Sequence, residues 1–259
     1  MFFEDKLIFF PEAYPVGDWQ PTLPVGMSCD DIYFESEGRK LHGWLIEPQH
    51  RFYDGVVLHC HGNAGNITTR FAKSCAIAAL GLPVFVFDYR SYGRSEAGRL
   101  SEKAIYTDAE AAWKFLIEQK YREAQIVVQG VSLGGGPAGY LAEKFSPAGL
   151  ILESTFTSMP DMSKKVYPFI PRSLVKTQFN TAKRIRSLEL DKVVIHGSED
   201  EVVPYEMGQE LFELAPEPKE FVEIKNALHT NLLEKDREAY LSAFRNLFDR
   251  VLQEISVLN

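Results

Sequence analysis

Ser132, Asp200 and His229 are the residues of this chain best suited to do chemistry together. Ser132 lies in Gly130-Val131-Ser132-Leu133-Gly134, between the apolar run Ile126-Val127-Val128 and the small-residue stretch Gly135-Gly136-Pro137-Ala138-Gly139. A Gly-x-Ser-x-Gly between a strand and a helix is the pattern of a nucleophile elbow, where the serine backbone is strained and flanking glycines make room for the turn. A serine hydroxyl attacks only weakly until a base takes its proton. Histidine titrates near neutrality and can take that proton and return it, and a carboxylate fixes the imidazole tautomer and stabilises the imidazolium. Asp200 and His229 supply those types, in the order nucleophile, acid, base. The attacked carbonyl becomes an oxyanion that needs preorganised donors. The backbone amides of Leu133 and of Asn63, in His61-Gly62-Asn63-Ala64-Gly65-Asn66, are the candidates. Loss of one such donor typically costs ~10²–10³ in rate.

Several neighbours compete for these roles. Asp200 is flanked by Glu199 and Glu201, so a surface acidic cluster is the alternative reading, with Glu199 as the fallback acid. His229 is the sole histidine after Asp200. His61 reads as a structural residue of the Asn63 loop rather than a proton carrier. His59 and His61 form a His-x-His on a strand, but only two ligands are evident, so no metal is expected. Arg90, in Asp88-Tyr89-Arg90-Ser91-Tyr92-Gly93-Arg94-Ser95, reads as the centre of a loop brace.

The elements that must position these residues are legible as short apolar runs. Val56–Cys60, Val84–Phe87, Ile126–Val128, Leu150–Leu152 and Val193–Ile195 do not alternate polar with apolar, which is the pattern of parallel strands covered on both faces. A last strand is predicted over Glu220–Ile224. Asp31–Glu35 and Lys40–Ile46 read as an antiparallel hairpin turning at Ser36-Glu37-Gly38-Arg39. Helical patterns fill the gaps, about Thr68–Leu80, Ser101–Gln119, Leu133–Phe145, Tyr205–Leu214 and Leu232–Val251. This alternation predicts an α/β fold, a mostly parallel, twisted sheet flanked by helices, with chemistry at the carboxyl ends of the strands. One domain over 1–259 is expected. Residues 155–190 break the rhythm with three prolines, Pro160, Pro168 and Pro171, and read as a small helical cap carrying the apolar Val166, Tyr167, Phe169 and Ile170.

The chain has 259 residues and a formal charge of −8, which disfavours nucleic acid and anionic membrane as partners. Its three cysteines, Cys29, Cys60 and Cys75, fit reduced thiols better than a disulfide framework. No apolar run is long enough for a membrane span. The aromatic start, residues 1–11, lacks the pattern of a signal peptide and is expected to pack on the domain, with a shallow membrane contact left open. A cytoplasmic location is expected.

With these residues placed, the chain resembles the α/β-hydrolases over nearly its full length. Within them it resembles the BEM46-like group, related to the ABHD13 and ABHD17 serine hydrolases. The resemblance is carried by Leu7-Ile8-Phe9-Phe10-Pro11, His61-Gly62-Asn63-Ala64-Gly65-Asn66, the segment Asp88 to Ser95, the elbow, and the segment His196 to Pro204. It implies a serine hydrolase without cofactor, acting on small-molecule acyl esters or thioesters. A carboxylesterase for short acyl chains is the first expectation. A long-chain thioesterase or lysophospholipase is the second, and a catalytically silent binding protein of the same fold is the non-enzyme alternative.

Overall fold

The computed structural model describes residues 4–166, 169, 171 and 174–255. Its frame is an eight-stranded sheet. The strands are β1 (Met27–Ser36), β2 (Arg39–Pro48), β3 (Val56–Cys60), β4 (Val84–Asp88), β5 (Ile126–Val131), β6 (Gly149–Glu153), β7 (Asp191–Gly197) and β8 (Lys219–Ile224). Their order across the sheet is β8-β7-β6-β5-β3-β4-β2-β1. β3 to β8 run parallel, and β2 joins β4 antiparallel, followed by β1. The hairpin turns at Glu37 and Gly38, both at positive φ (+48° and +73°), as a two-residue turn with matching twist requires.

The apolar runs are buried on both faces, as their lack of alternation predicts. Val56, Leu58, Cys60, Phe85, Phe87, Ile126 and Val128 face one helical layer. Their chain neighbours Val57, Val84, Val86 and Val127 face the other. Each fully buried Val, Leu, Ile or Phe contributes roughly 1.5–3 kcal/mol relative to exposure. Helices Glu102–Glu118, Gly135–Lys144 and Tyr205–Leu214 cover the first face, and Phe71–Ala78 and Arg237–Val251 the second.

Two predicted helices are interrupted. Asp236 breaks the stretch expected as one helix over Leu232–Val251 into Leu232–Lys235 and Arg237–Val251. Its backbone is non-helical (φ −146°, ψ 86°) and its carboxylate accepts from the Ala239 amide, so an N-cap replaces continuity. Asn66 likewise caps a 3₁₀ turn, Ile67–Arg70, ahead of the helix at Phe71–Ala78.

Residues 155–190 hold the short helices Met159–Val166 and Thr181–Ile185. Pro160 falls in the first turn of its helix, where its missing N–H is harmless. Of the apolar residues expected to line the cap, Phe169 is 96% exposed. Tyr167 and Ile170 lie outside the described residues, as does the side chain of Val166. Ile8 and Phe9 are buried on the domain, and Phe10–Pro11 pair in parallel with Ala64–Gly65.

Candidate active site

The chain reverses direction across the sheet around β3, which is flanked by β4 on one side and β5 on the other. Such a switch point opens a crevice at the carboxyl ends of the strands. Ser132 stands there, directly after β5, with φ at +53°. A β-carbon on Gly130 would lie 2.5 Å from the Gly134 carbonyl oxygen, and one on Gly134 would lie 2.0 Å from that of Cys60. Only glycine therefore lets the helix start pack this closely on β5 and β3. The Thr155 hydroxyl donates to the Ser132 carbonyl at 2.5 Å, tying the elbow to the end of β6.

His229 and Asp200 approach on two loops that are stitched together. The Glu199 amide donates to the Ala227 carbonyl (3.0 Å) and the Asn226 amide to the Ser198 hydroxyl (2.8 Å). The His229 amide donates to the Glu201 carboxylate (3.0 Å). The His229 ring joins the two other residues: Nε2 lies 3.1 Å from Ser132 Oγ, and Nδ1 lies 2.8 Å from Asp200 Oδ2. A carboxylate only accepts, so Nδ1–H donates to Asp200 and the bare Nε2 accepts the serine proton. The Asp200 carboxylate is closed from solvent, whereas Glu199 is exposed.

Asp200 is held by more than the histidine. Its Oδ1 accepts from the amides of Val202 (2.9 Å) and Val203 (2.8 Å). The buried His196 ring approaches Oδ2 at 3.3 Å through Nε2, which also meets the Val203 carbonyl at 3.0 Å. Burial alone would raise this carboxyl's pKa, but the bonds from His196 and His229 and the amide of Val203 outweigh it and hold it well below the usual range. The group is therefore ionised throughout the neutral region. Sequence reasoning missed His196 and Thr155. The spacing of four between His196 and Asp200, from a strand end into its loop, was the available signal for the first.

Asn63 and Leu133 border the same cavity as Ser132. A β-carbon on Gly62 would lie 3.4 Å from that of Ser132, so the Gly62–Asn63 peptide runs beside the serine. The Asn63 side chain turns away and donates to the Ile8 carbonyl (2.8 Å). The cavity measures about 480 Å³. Its walls include Leu7, Ile8, Phe10, Met159 and Met162, and among its described lining residues none is charged.

The other sequence candidates fall outside this arrangement. His61 is fully buried, and its Nδ1 bonds the Gly62 carbonyl at 2.7 Å. Burial, with the Arg70 charge adding to it, pushes its pKa down to about 3, so it stays neutral and carries no proton near pH 7. His59 is also fully buried, and neither ring nitrogen has a partner among the described residues. No cluster of three His, Cys, Asp or Glu able to hold a metal occurs among those residues. Arg90 is the brace expected: its guanidinium meets the buried Asp108 at 2.7 Å and Glu37 at 3.2 Å. Among the described residues no helix is long and apolar enough to cross a membrane.

Comparison with known proteins agrees with this architecture. The alpha/beta hydrolase fold family profile matches residues 55–176. An uncharacterized protein of Mycobacterium tuberculosis is 36% identical over 98% of this chain and 88% of its own. The alpha/beta hydrolase domain-containing protein WAV2 of Arabidopsis thaliana is 32% identical over 78% of this chain and 72% of its own. Among solved structures, an esterase of Pyrococcus furiosus superposes with a TM-score of 0.73 at 22% identity, covering 95% of this chain and 98% of that one.

Proposed function

Since this chain belongs to the α/β-hydrolase family, we propose that it is a serine hydrolase that cleaves carboxylic esters through an acyl-enzyme on Ser132. The observation that carries this reading is the unbroken chain from Ser132 Oγ through His229 to Asp200, opening into an apolar cavity.

In the first half-reaction Ser132 Oγ attacks the ester carbonyl while its proton passes to His229 Nε2. The carbonyl π electrons move onto oxygen, and the amides of Asn63 and Leu133 receive that oxyanion. Asp200, ionised, stabilises the imidazolium. The intermediate collapses, the C–O bond to the alcohol breaks, and His229 returns the proton to the leaving oxygen. In the second half-reaction His229 takes a proton from water as the hydroxide adds to the acyl carbonyl; collapse breaks the C–O bond to Ser132 Oγ, His229 returns the proton to that oxygen, and the acid leaves. No redox partner or cofactor enters this balance. A thioester would follow the same steps, with a thiol leaving. Residues 155–190 act in this reading as the cap over the acyl side, and a soluble cytoplasmic enzyme of small acyl substrates is the setting proposed.

A fluorophosphonate probe tests the assignment directly. Wild type is expected to label and Ser132→Ala to remain unlabelled, with p-nitrophenyl ester hydrolysis lost by at least ~10⁴-fold. Equal labelling of the two would falsify the nucleophile.

A further inference from the structure

The segment 7–10 has two faces, and both bear on the cavity. Leu7, Ile8 and Phe10 form part of its wall, together with Met159 and Met162. The backbone of the same segment grips the Asn63 loop. The Asn63 side chain donates to the Ile8 carbonyl at 2.8 Å, and the Phe10 amide donates to the Asn63 carbonyl at 3.0 Å. The segment is the end of a short helix, Glu4–Ile8, passing into the strand Phe10–Pro11. At this junction Phe9 goes into the core against Phe179, with ring centroids 6.2 Å apart, while Phe10 goes to the cavity. Leu7 and Phe10 remain 54% and 52% exposed. A ligand filling the cavity would take that apolar surface out of water, a gain of roughly 25 cal/mol per Å².

We propose that residues 7–10 form a strap that selects an apolar acyl chain longer than acetyl and positions the oxyanion loop through Asn63. The inference rests on the serine hydrolase reading above and adds to it the substrate class. The described lining residues are all uncharged, so they give no ionic partner to an acyl group carrying a carboxylate, phosphate or amine, and burying such a charge unpaired is costly. Acetate leaves most of the apolar wall wet, whereas a longer apolar chain covers Leu7, Ile8, Phe10, Met159 and Met162. The expected specificity is therefore longer than the short-chain preference that the sequence suggests.

The test is a series of p-nitrophenyl acetate, octanoate and palmitate on the full chain. Wild type is expected to favour octanoate over acetate at least tenfold in kcat/KM. Leu7→Ala and Phe10→Ala keep the backbone grip on Asn63 but thin the wall, so the octanoate-to-acetate ratio falls at least fivefold, mainly through KM. Phe10→Trp narrows the mouth and shifts the optimum towards shorter chains. This variant keeps the test decisive if an alanine variant does not fold. Asn63→Ala retains the amide but frees the loop from Ile8. It lowers kcat about tenfold on acetate and octanoate alike, with their ratio kept, which a purely structural loss would not do. Overturning results are a wild-type preference for acetate, a ratio indifferent to the Phe10 variants, or an Asn63→Ala kcat equal to wild type. Fluorophosphonate labelling separates the two levels. A labelled enzyme without the octanoate preference sinks the strap alone, and a wild type that fails to label sinks the hydrolase reading and the strap with it.

Discussion

His229–Asp200 and His61–Asp88 both stand at the carboxyl edge of the same sheet, and of these two histidines His229 alone lies within hydrogen-bond reach of the Ser132 hydroxyl. His229 and Asp200 meet at 2.8 Å, and the ring still offers Nε2 to Ser132. His61 and Asp88 are 3.6 Å apart with both side chains sealed from solvent. The residue types match, and the surroundings do not. Asp200 collects two amides and two imidazoles, so it remains ionised despite its burial. Asp88 accepts one amide, from Ile67 at 3.0 Å, and its Oδ2 has no partner among the described residues. Burial there raises the carboxyl well above its ordinary range, against the pull of Ile67 and Arg70. One acid is held ionised beside a histidine that water can reach. The other is a buried support beneath the Asn63 loop, its carboxyl raised well above the ordinary range. Donors and access separate the two pairs, rather than the presence of a histidine near an acid.

The sharpest way to break this comparison is the same isosteric change at both acids. Asp200→Asn keeps the shape but presents an amide to His229 and favours the wrong tautomer; kcat is expected to fall roughly 10⁴-fold. Asp88→Asn is expected to change kcat by only a few-fold. Steady-state kinetics on octanoate esters reads both, and comparable losses would mean that the His61 pair takes part in proton transfer.

A smaller effect is expected at His196, which approaches the same Asp200 Oδ2 that His229 contacts, at 3.3 Å. His196→Leu removes one donor and leaves the Val202 and Val203 amides in place. The acid stays ionised but less firmly oriented, and kcat should drop about tenfold with KM nearly constant, in the range of a lost charge-assisted bond. Gly208→Ala approaches the same point from behind, because a β-carbon there would fall 2.3 Å from His196 Nδ1. It should lower kcat in the same direction. An unchanged kcat in His196→Leu would reduce that histidine to core filling.

The sequence singled out Ser132, Asp200 and His229 as one set and did not pair His61 with Asp88, for physical reasons. Parallel strands buried on both faces have no polar interruption, so Val56–Cys60 could be read to its ends. The Gly-x-Ser-x-Gly spacing is legible because Gly130 and Gly134 answer to backbone contacts a β-carbon would violate. Asp236 was hidden because the apolar period of the helix continues across an N-cap that only local dihedrals reveal. Packing of the aromatic start on the domain was legible, but the five-residue helix Glu4–Ile8 and the two-residue pairing of Phe10–Pro11 with Ala64–Gly65 are too short to have a periodicity to detect. The cavity wall was hidden too, where Met159 and Met162 stand in place of the expected Phe169, which points into solvent.

The smallest expected effect carries the most information, because its sign differs between the two acids. Asp88 in the fold binds its proton at pH values where the unfolded chain, with a carboxyl pKa of about 3.9, has lost it. Its contribution to stability is therefore full below that pKa and is lost as pH rises through the raised folded value. Asp88→Asn removes this loss, so the variant should gain on wild type as pH increases from about 4 to 8. Asp200 runs the other way. Its folded pKa lies below the unfolded one, so its contribution is present above about 3.9 and lost as pH falls through the folded value. Asp200→Asn should therefore melt below wild type at neutral pH, with the deficit closing in acid. For a chain of this size each kcal/mol moves Tm by roughly 2–4 °C, which thermal melts at pH 4, 6 and 8 resolve. The melting differences of the two variants should diverge with pH. If they move together, the environments of the two acids are alike, and the contrast that singles out Asp200 is lost.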